Sequence, residues 1–259
     1  MANEPAAPDS NELVDLVNES DRVTGQASRR EAHNHGWLHR AVHVLTFDPA
    51  GRLLLQKRAA GKQFNPGRWT STASGHVTAG DSYDAAAARE VVEELQLSRP
   101  PTLERVGKVR TDTVDPETGQ ACRTLSTVYT THLTIPAAGI RPQPSEVTKI
   151  EAFPLPGVVA AVRGEARLNC ADGEPVPFAD NFAPVVELLA STEKASDGNG
   201  ESQARHFEPL CLECGAKMVE SDRLLDDGAL FIWYECTRAR DGCTGQWLIK
   251  RALGNEKTG

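Results

Sequence analysis

Apolar and polar residues alternate over residues 12–18 and again over 22–28. A period of two is what a half-buried strand requires, and the short gap between the runs suits a hairpin. Two further strand-like runs, 41–47 and 52–56, are separated by Asp48-Pro49-Ala50-Gly51, a turn composition. The period then changes. Residues 84–97 are rich in alanine, and Val91, Val92 and Leu95 return at helical spacing, so this segment is predicted to be a helix. Long strand patterns follow at 102–113 and 123–133, joined by a turn from Asp115 to Gly119, and a last strand pattern spans 147–153. Helical patterns end the series at 157–163 and 181–189. Strands with one central helix and later packing helices predict an α+β fold, a sandwich with the sheet inside.

Breaks in the pattern divide the chain. Residues 1–10 carry no periodicity and read as a frayed tail. Residues 191–205 are small and polar and read as a flexible linker. The expected organisation is a main domain over 11–190, then the linker, then a small module over 206–254. Composition is that of a soluble globular protein, 39% hydrophobic and 25% charged. No apolar run reaches membrane-spanning length and no secretory pattern opens the chain, so a cytoplasmic location is expected. The net charge of −8 argues against general nucleic-acid affinity but leaves room for a phosphate ligand held beside a metal.

Chemistry concentrates in Arg89-Glu90-Val91-Val92-Glu93-Glu94. On a helix Glu90 and Glu94 lie one turn apart and Glu93 lies three residues from Glu90. Three crowded carboxylates repel unless a cation sits among them, and oxygen donors suit a hard divalent ion, Mg²⁺ or Mn²⁺. Fourteen residues before Arg89 stands Gly75, with Asp81 between them. This spacing resembles the Nudix box, matched at Gly75, Arg89, Glu90, Val91, Glu93, Glu94 and Leu97. Two positions depart from it. Asp81 shortens the family's first glutamate by one methylene, and Gln96 replaces the glycine that ends the helix in the left-handed conformation.

The resemblance implies a Nudix α/β/α sandwich with a mixed sheet. It implies that Glu90, Glu93 and Glu94 hold the metal while Arg89 orients them, and that Glu146, entering the last strand, serves as a further base. Lys57 and Arg58 are candidates for contacts with substrate phosphates. The segments Ser28-Arg29-Arg30-Glu31-Ala32-His33, Leu38-His39-Arg40-Ala41-Val42, Leu54-Leu55-Gln56-Lys57-Arg58 and Pro66-Gly67-Arg68-Trp69 resemble the Nudix branch that shares its framework with isopentenyl diphosphate isomerase. His33, His39 and His76 match that enzyme's metal-binding histidines. Its catalytic cysteine would fall at Ser74, however, and its paired downstream glutamates would fall in Arg123-Thr124-Leu125-Ser126-Thr127, where there are none. A hydroxyl is a poor acid or base at neutral pH, so hydrolysis is favoured over isomerisation.

Four of the six cysteines crowd the end of the chain: Cys211-x-x-Cys214, then Cys236 after 21 residues, then Cys243 after six. Four thiolates complete a tetrahedral structural Zn²⁺ site, and the module resembles the zinc ribbon appended to type I topoisomerases. The segment Ala229-Leu230-Phe231-Ile232-Trp233-Tyr234 reads as the strand that delivers Cys236. With seven Lys/Arg against nine Asp/Glu over 206–259, the module has no basic footprint. Nucleic-acid binding, protein docking and homodimerisation all stay open for it. The expected function is metal-dependent hydrolysis of a diphosphate bond in a small molecule, a nucleoside diphosphate joined to another moiety. The rivals are the isomerase and a non-catalytic binding domain whose ribbon recruits a partner.

Overall fold

The computed structural model describes residues 11–115, 118–197, 218–226, 229–236 and 246–252. The first two alternating runs form the expected antiparallel hairpin, β1 (Leu13–Val17) and β2 (Val23–Ser28), with Leu13 opposite Ser28. A short helix, α1 (Arg29–His35), follows directly and was not expected. Two turns are too few to show an apolar stripe, but a capping box marks the start. The Glu31 amide donates to Ser28 Oγ at 3.2 Å, and the Ser28 amide donates back to Glu31 Oε2 at 3.0 Å. Gly36, at φ 62°, ends the helix in the left-handed region.

The next strands are β3 (His39–Phe47), β4 (Leu53–Arg58), β5 (Trp69–Thr70) and β6 (Ala73–His76). The last two, too short for a periodic signal, were not expected. After them come α2 (Tyr83–Leu95), β7 (Glu104–Val114), β8 (Ala121–His132), β9 (Val147–Phe153), α3 (Leu155–Val162) and α4 (Phe182–Asp197). The final helix runs on past residue 190, into the stretch read from sequence as linker. Nine strands form one mixed sheet, in which β3 and β8 are parallel with His39 opposite Thr124, and the other pairs are antiparallel.

Alternation along β3 and β4 sorts two cores onto the two faces. Val42, Val44 and Leu54 pack with Ala86, Ala87, Val91 and Leu95 of α2. Leu45, Phe47, Leu53 and Leu55 pack with Val158 of α3 and with Phe182, Val185 and Val186 of α4. Each such aliphatic side chain, once buried, contributes roughly 1.5–3 kcal/mol. The result is the three-layer sandwich expected from the pattern. One detail of the pairing positions the site. β3 pairs β6 over Ala41–Val44 but meets β4 only at Thr46 and Phe47, so β4 and β6 part and leave a cleft.

A separate three-stranded antiparallel sheet comprises β10 (Met218–Asp226), β11 (Ala229–Cys236) and β12 (Gln246–Ala252). The strand expected to deliver Cys236 is β11, and it ends on that residue, which is buried. The other expected zinc ligands, Cys211, Cys214 and Cys243, lie outside the described residues. No helix among the described residues is long and apolar enough to cross a membrane.

Candidate active site

Helix α2 carries the carboxylates, and its burial pattern divides them. Ser82 caps the helix by accepting from the Ala85 amide at 3.1 Å. The buried stripe runs through Tyr83, Ala86, Ala87, Val91, Glu94 and Leu95, and Glu90 lies beside it with its side chain only 12% exposed. Glu93 projects from the rim, 54% exposed. The three acids therefore do not share one side equally. Two point into the cleft, and the third stands over its edge.

Burial of two acids one turn apart has an electrostatic cost, because neither charge is well solvated and each repels the other. Burial pushes Glu90 up to about 7, offset in part by Arg89 and increased by Glu93. Burial likewise raises Glu94 well above the usual carboxylate range, and the neighbouring Glu90 adds to the effect. Glu94 Oε2 accepts from Gln56 Nε2 at 2.8 Å and from the Ser74 amide at 3.3 Å. Arg89 Nη1 donates to Glu90 Oε1 at 2.7 Å and lies 3.6 Å from Glu93, while its Nη2 donates to the carbonyl of His76 at 3.2 Å. The arginine thus ties the helix to β6 and fixes two carboxylates at once.

Gly75 is indispensable to this arrangement for a steric reason. A Cβ at this position would lie 2.1 Å from Cδ of Glu90. Only a residue without a side chain lets the carboxylate lie against the β6 backbone. Gln96 occupies the left-handed position at φ 50°, ψ 45° that the sequence had assigned to a missing glycine. The paired bonds from the Gln96 amide to Glu93 and from the Leu97 amide to Val92 still close the helix. Asp81 is exposed and precedes the helix.

The cleft between β4 and β6 has a volume of about 810 Å³ and is lined by all three glutamates, Arg89, Glu146 and Arg58. Lys57 and Arg58 were expected to act together on phosphates, and the strand separates them. Arg58 follows Leu54 and Gln56 on the α2 face, whereas Lys57 points the other way and sits 3.6 Å from Glu174. Lys57 forms a surface ion pair and does not line the cleft. Arg58 is held by a bond from its Nε to the carbonyl of Phe64 at 3.1 Å. Glu146 enters the cleft beside Lys62, with which it forms an ion pair. Lys62 and Arg29 also line the cleft; Lys62 belongs to no recognised motif, and Arg29, although inside a segment that carries the resemblance, was assigned no role there.

The histidines His33, His39 and His76 meet on the opposite side of Gly75 from α2, with ring centroids 5.1–5.4 Å apart. Cys122, a lone cysteine in the sequence, completes the group. Ser74 contributes its backbone amide to Glu94.

A family profile described as NUDIX domain matches residues 37–169, more than half of the chain. The chain belongs to the Nudix family. An isopentenyl-diphosphate Delta-isomerase of Streptomyces coelicolor is 40% identical over 136 residues, which cover 52% of this chain and 67% of that protein. Two other Streptomyces proteins of the same name are matched over 54% of their length. The protein of that name from Nocardia farcinica is 35% identical over 190 residues, 71% of this chain and 98% of that one. An uncharacterised Nudix hydrolase of Streptomyces coelicolor is 44% identical over 95 residues, 37% of this chain and 52% of that protein. Among solved structures, DR0079 from Deinococcus radiodurans is similar in fold, with TM-score 0.51 at 22% identity, covering 68% of this chain and 98% of its own.

Nudix enzymes generally use Mg²⁺ or Mn²⁺, and the α2 carboxylates fit such an ion. Two buried acids lie together, and a buried acceptor beside them, Gln56 Oε1, has no hydrogen-bond partner. An all-oxygen donor set that opens onto a cleft suits a hard cation that keeps water ligands.

Proposed function

We propose that this Nudix chain hydrolyses a diphosphate bond in a small molecule, a nucleoside diphosphate joined to a second moiety. The observation that carries the reading is the buried Glu90–Glu94 pair at the head of the cleft, held in place by Arg89, Gln56 and the absent Cβ of Gly75. Two desolvated acids of like charge are costly in an empty protein, and the cost is recovered when a dication binds. Glu90, Glu93 and Glu94 would hold the ion, which would supply charge neutralisation to a phosphoryl group and acidity to a water molecule.

The remaining work belongs to the chain's own side chains. Arg58 and Arg29 present guanidinium groups to the cleft, where they can take up diphosphate oxygens in paired hydrogen bonds. Glu146 accepts the proton of the attacking water once Lys62, now paired with it, turns to the incoming phosphate. Gln56 and the Ser74 amide keep the Glu94 carboxylate in one orientation, so no reorganisation is needed at the moment of reaction. A cleft of this volume accommodates an organic diphosphate of ordinary metabolite size.

Isomerisation of isopentenyl diphosphate is the second reading, favoured by the printed names of the relatives from Streptomyces and Nocardia. It is disfavoured by Ser74, where the resemblance called for a thiol, and by Arg123-Thr124-Leu125-Ser126-Thr127, where it called for paired carboxylates. The deciding assay incubates the full chain with Mg²⁺ or Mn²⁺ and a panel of nucleotide diphosphate conjugates, nucleoside triphosphates and isopentenyl diphosphate. Metal-dependent cleavage that disappears in Glu94→Gln supports the hydrolase. Conversion of isopentenyl diphosphate without phosphate release supports the isomerase instead.

A further inference from the structure

We propose that His43 determines substrate specificity, donating from Nε2 to an oxygen of the moiety that the diphosphate carries and so selecting a polar moiety over a hydrocarbon. The inference rests on the hydrolase reading for the place of the diphosphate, beside Glu90 and Glu94. Strand alternation puts His43 on the other side of the sheet from those acids. β3 sends Val42 and Val44 toward α2 and Leu45 and Phe47 toward α3 and α4, and His43 belongs with the second set. Pairing with β6 sets His43 opposite Ser74, one rung from Gly75, whose backbone lies against Glu90. A substrate gripped at the carboxylates therefore extends its next group across the histidine.

The ring has one nitrogen engaged and one free. His43 is buried, and its Nδ1 is 3.0 Å from Ser71 Oγ. Ser71 is fully buried, and its hydroxyl has no other partner among the described residues. Were the ring proton on Nδ1, the hydroxyl hydrogen would be enclosed without an acceptor, which is costly. The hydroxyl therefore donates to Nδ1, and the ring proton sits on Nε2. Nε2 has no hydrogen-bond partner among the described residues, and the ring lines the cleft. Burial, with Arg58 nearby, pushes the imidazole down to about 4, so at pH 7 it is a neutral donor.

An aliphatic residue here would simply continue the stripe of Leu45 and Phe47. A buried imidazole is costly in its place unless the second nitrogen also finds a partner. The same wall offers another unspent group. Asn181, immediately before α4, lines the cleft with an amide that has no partner among the described residues. Thr124, by contrast, is already engaged, 2.8 Å from the Thr111 hydroxyl and 2.9 Å from that of Ser126. A moiety bearing hydroxyl or carbonyl oxygens satisfies His43 and Asn181. A hydrocarbon displaces water from both and leaves them unpaired. A wall built of hydrogen-bonding groups rejects the analogue that lacks them more strongly than an apolar pocket rejects a polar ligand.

The test titrates the full chain, in Mg²⁺, with two diphosphates that differ in what they carry: α,β-methylene-ADP, which resists hydrolysis, and isopentenyl diphosphate. The native protein is expected to bind the first more tightly. His43→Leu should weaken α,β-methylene-ADP roughly 10- to 100-fold and leave isopentenyl diphosphate unchanged or tighter. His43→Gln, which keeps an N–H within reach of the same oxygen, should restore the preference. Absence of a preference in the native chain, or a parallel loss for both ligands in His43→Leu, overturns the proposal. A further measurement needs neither ligand nor a folded leucine variant. ¹⁵N NMR of the native imidazoles should show the His43 proton on Nε2, and a proton on Nδ1 refutes the assignment. The two readings fail separately. If no diphosphate is cleaved while selectivity still depends on His43, hydrolysis is lost and this inference stands.

Discussion

Replacing Glu90 with Gln should stabilise the metal-free protein while abolishing its hydrolytic activity. The side chain is buried, and its carboxyl is raised from the usual range to about 7. An acid whose folded-state pKa exceeds its unfolded value stays protonated longer in the folded chain. The folded state then binds more protons, and stability declines as pH rises through that interval. From 4.5 to about 7 the interval costs roughly 3 kcal/mol at 1.36 kcal/mol per unit, fully expressed above pH 7 and absent below about 4. Glutamine imitates the protonated acid and avoids the cost. Denaturant unfolding in chelator at pH 8 should therefore show Glu90→Gln more stable by about 3 kcal/mol, an upper value because the Arg89 ion pair is also lost. At pH 4.5 the difference should nearly vanish. Saturating Mg²⁺ should reverse the order, because only the native carboxylate gains from the ion. Equal stability at pH 8, or a gain that does not change with pH, would refute the electrostatic account of this site.

Three other substitutions probe the surroundings. Gln96→Gly should raise stability by about 0.5–1 kcal/mol in chemical denaturation, because it relieves a left-handed residue at φ 50° that is not glycine. Gly75→Ala should destabilise by about 1–3 kcal/mol and remove activity, since the new methyl overlaps the Glu90 carboxylate; retained activity would mean the carboxylate is not needed there. Asp21, itself at φ 60°, accepts from Arg40 Nε at 2.7 Å and from Tyr83 OH at 3.1 Å and pairs with Lys108. Burial alone would raise its pKa, but these partners together lower it. Asp21→Asn keeps a residue that tolerates this backbone, so it should cost about 1–3 kcal/mol at pH 7 through lost charge alone. That difference should shrink as pH falls below the ordinary carboxylate range, a trend readable from urea midpoints.

Most of the strands, and three of the four helices, were legible because a long amphipathic element repeats its signal. In the main domain the segments that escaped were short or irregular, while β10 and β12 of the separate sheet also went unpredicted. Strands β5 and β6 have two and four residues, below the length at which alternation can be recognised. Helix α1 has seven residues, and only the Ser28–Glu31 capping pair could have revealed it. The carboxylate helix was legible down to single residues, including the strained cap at Gln96, because all its chemistry lies within one element of fixed geometry.

Sequence by itself determined the class of fold, the carboxylate motif on α2 and the hard-metal chemistry that three neighbouring glutamates imply. Local spacing carries that information, since a helix converts intervals of three and four residues into adjacency. Tertiary structure decided what spacing cannot. It buried Glu90 and Glu94 while leaving Glu93 at the rim, and it separated Arg58 from Lys57 through strand alternation. It also carried Cys122 to three histidines, the nearest of them 46 residues away in the chain, through the parallel register that sets His39 beside Thr124. Sheet pairing brings remote residues together by hydrogen bonds between backbones, which leave no mark on the side-chain pattern of either strand.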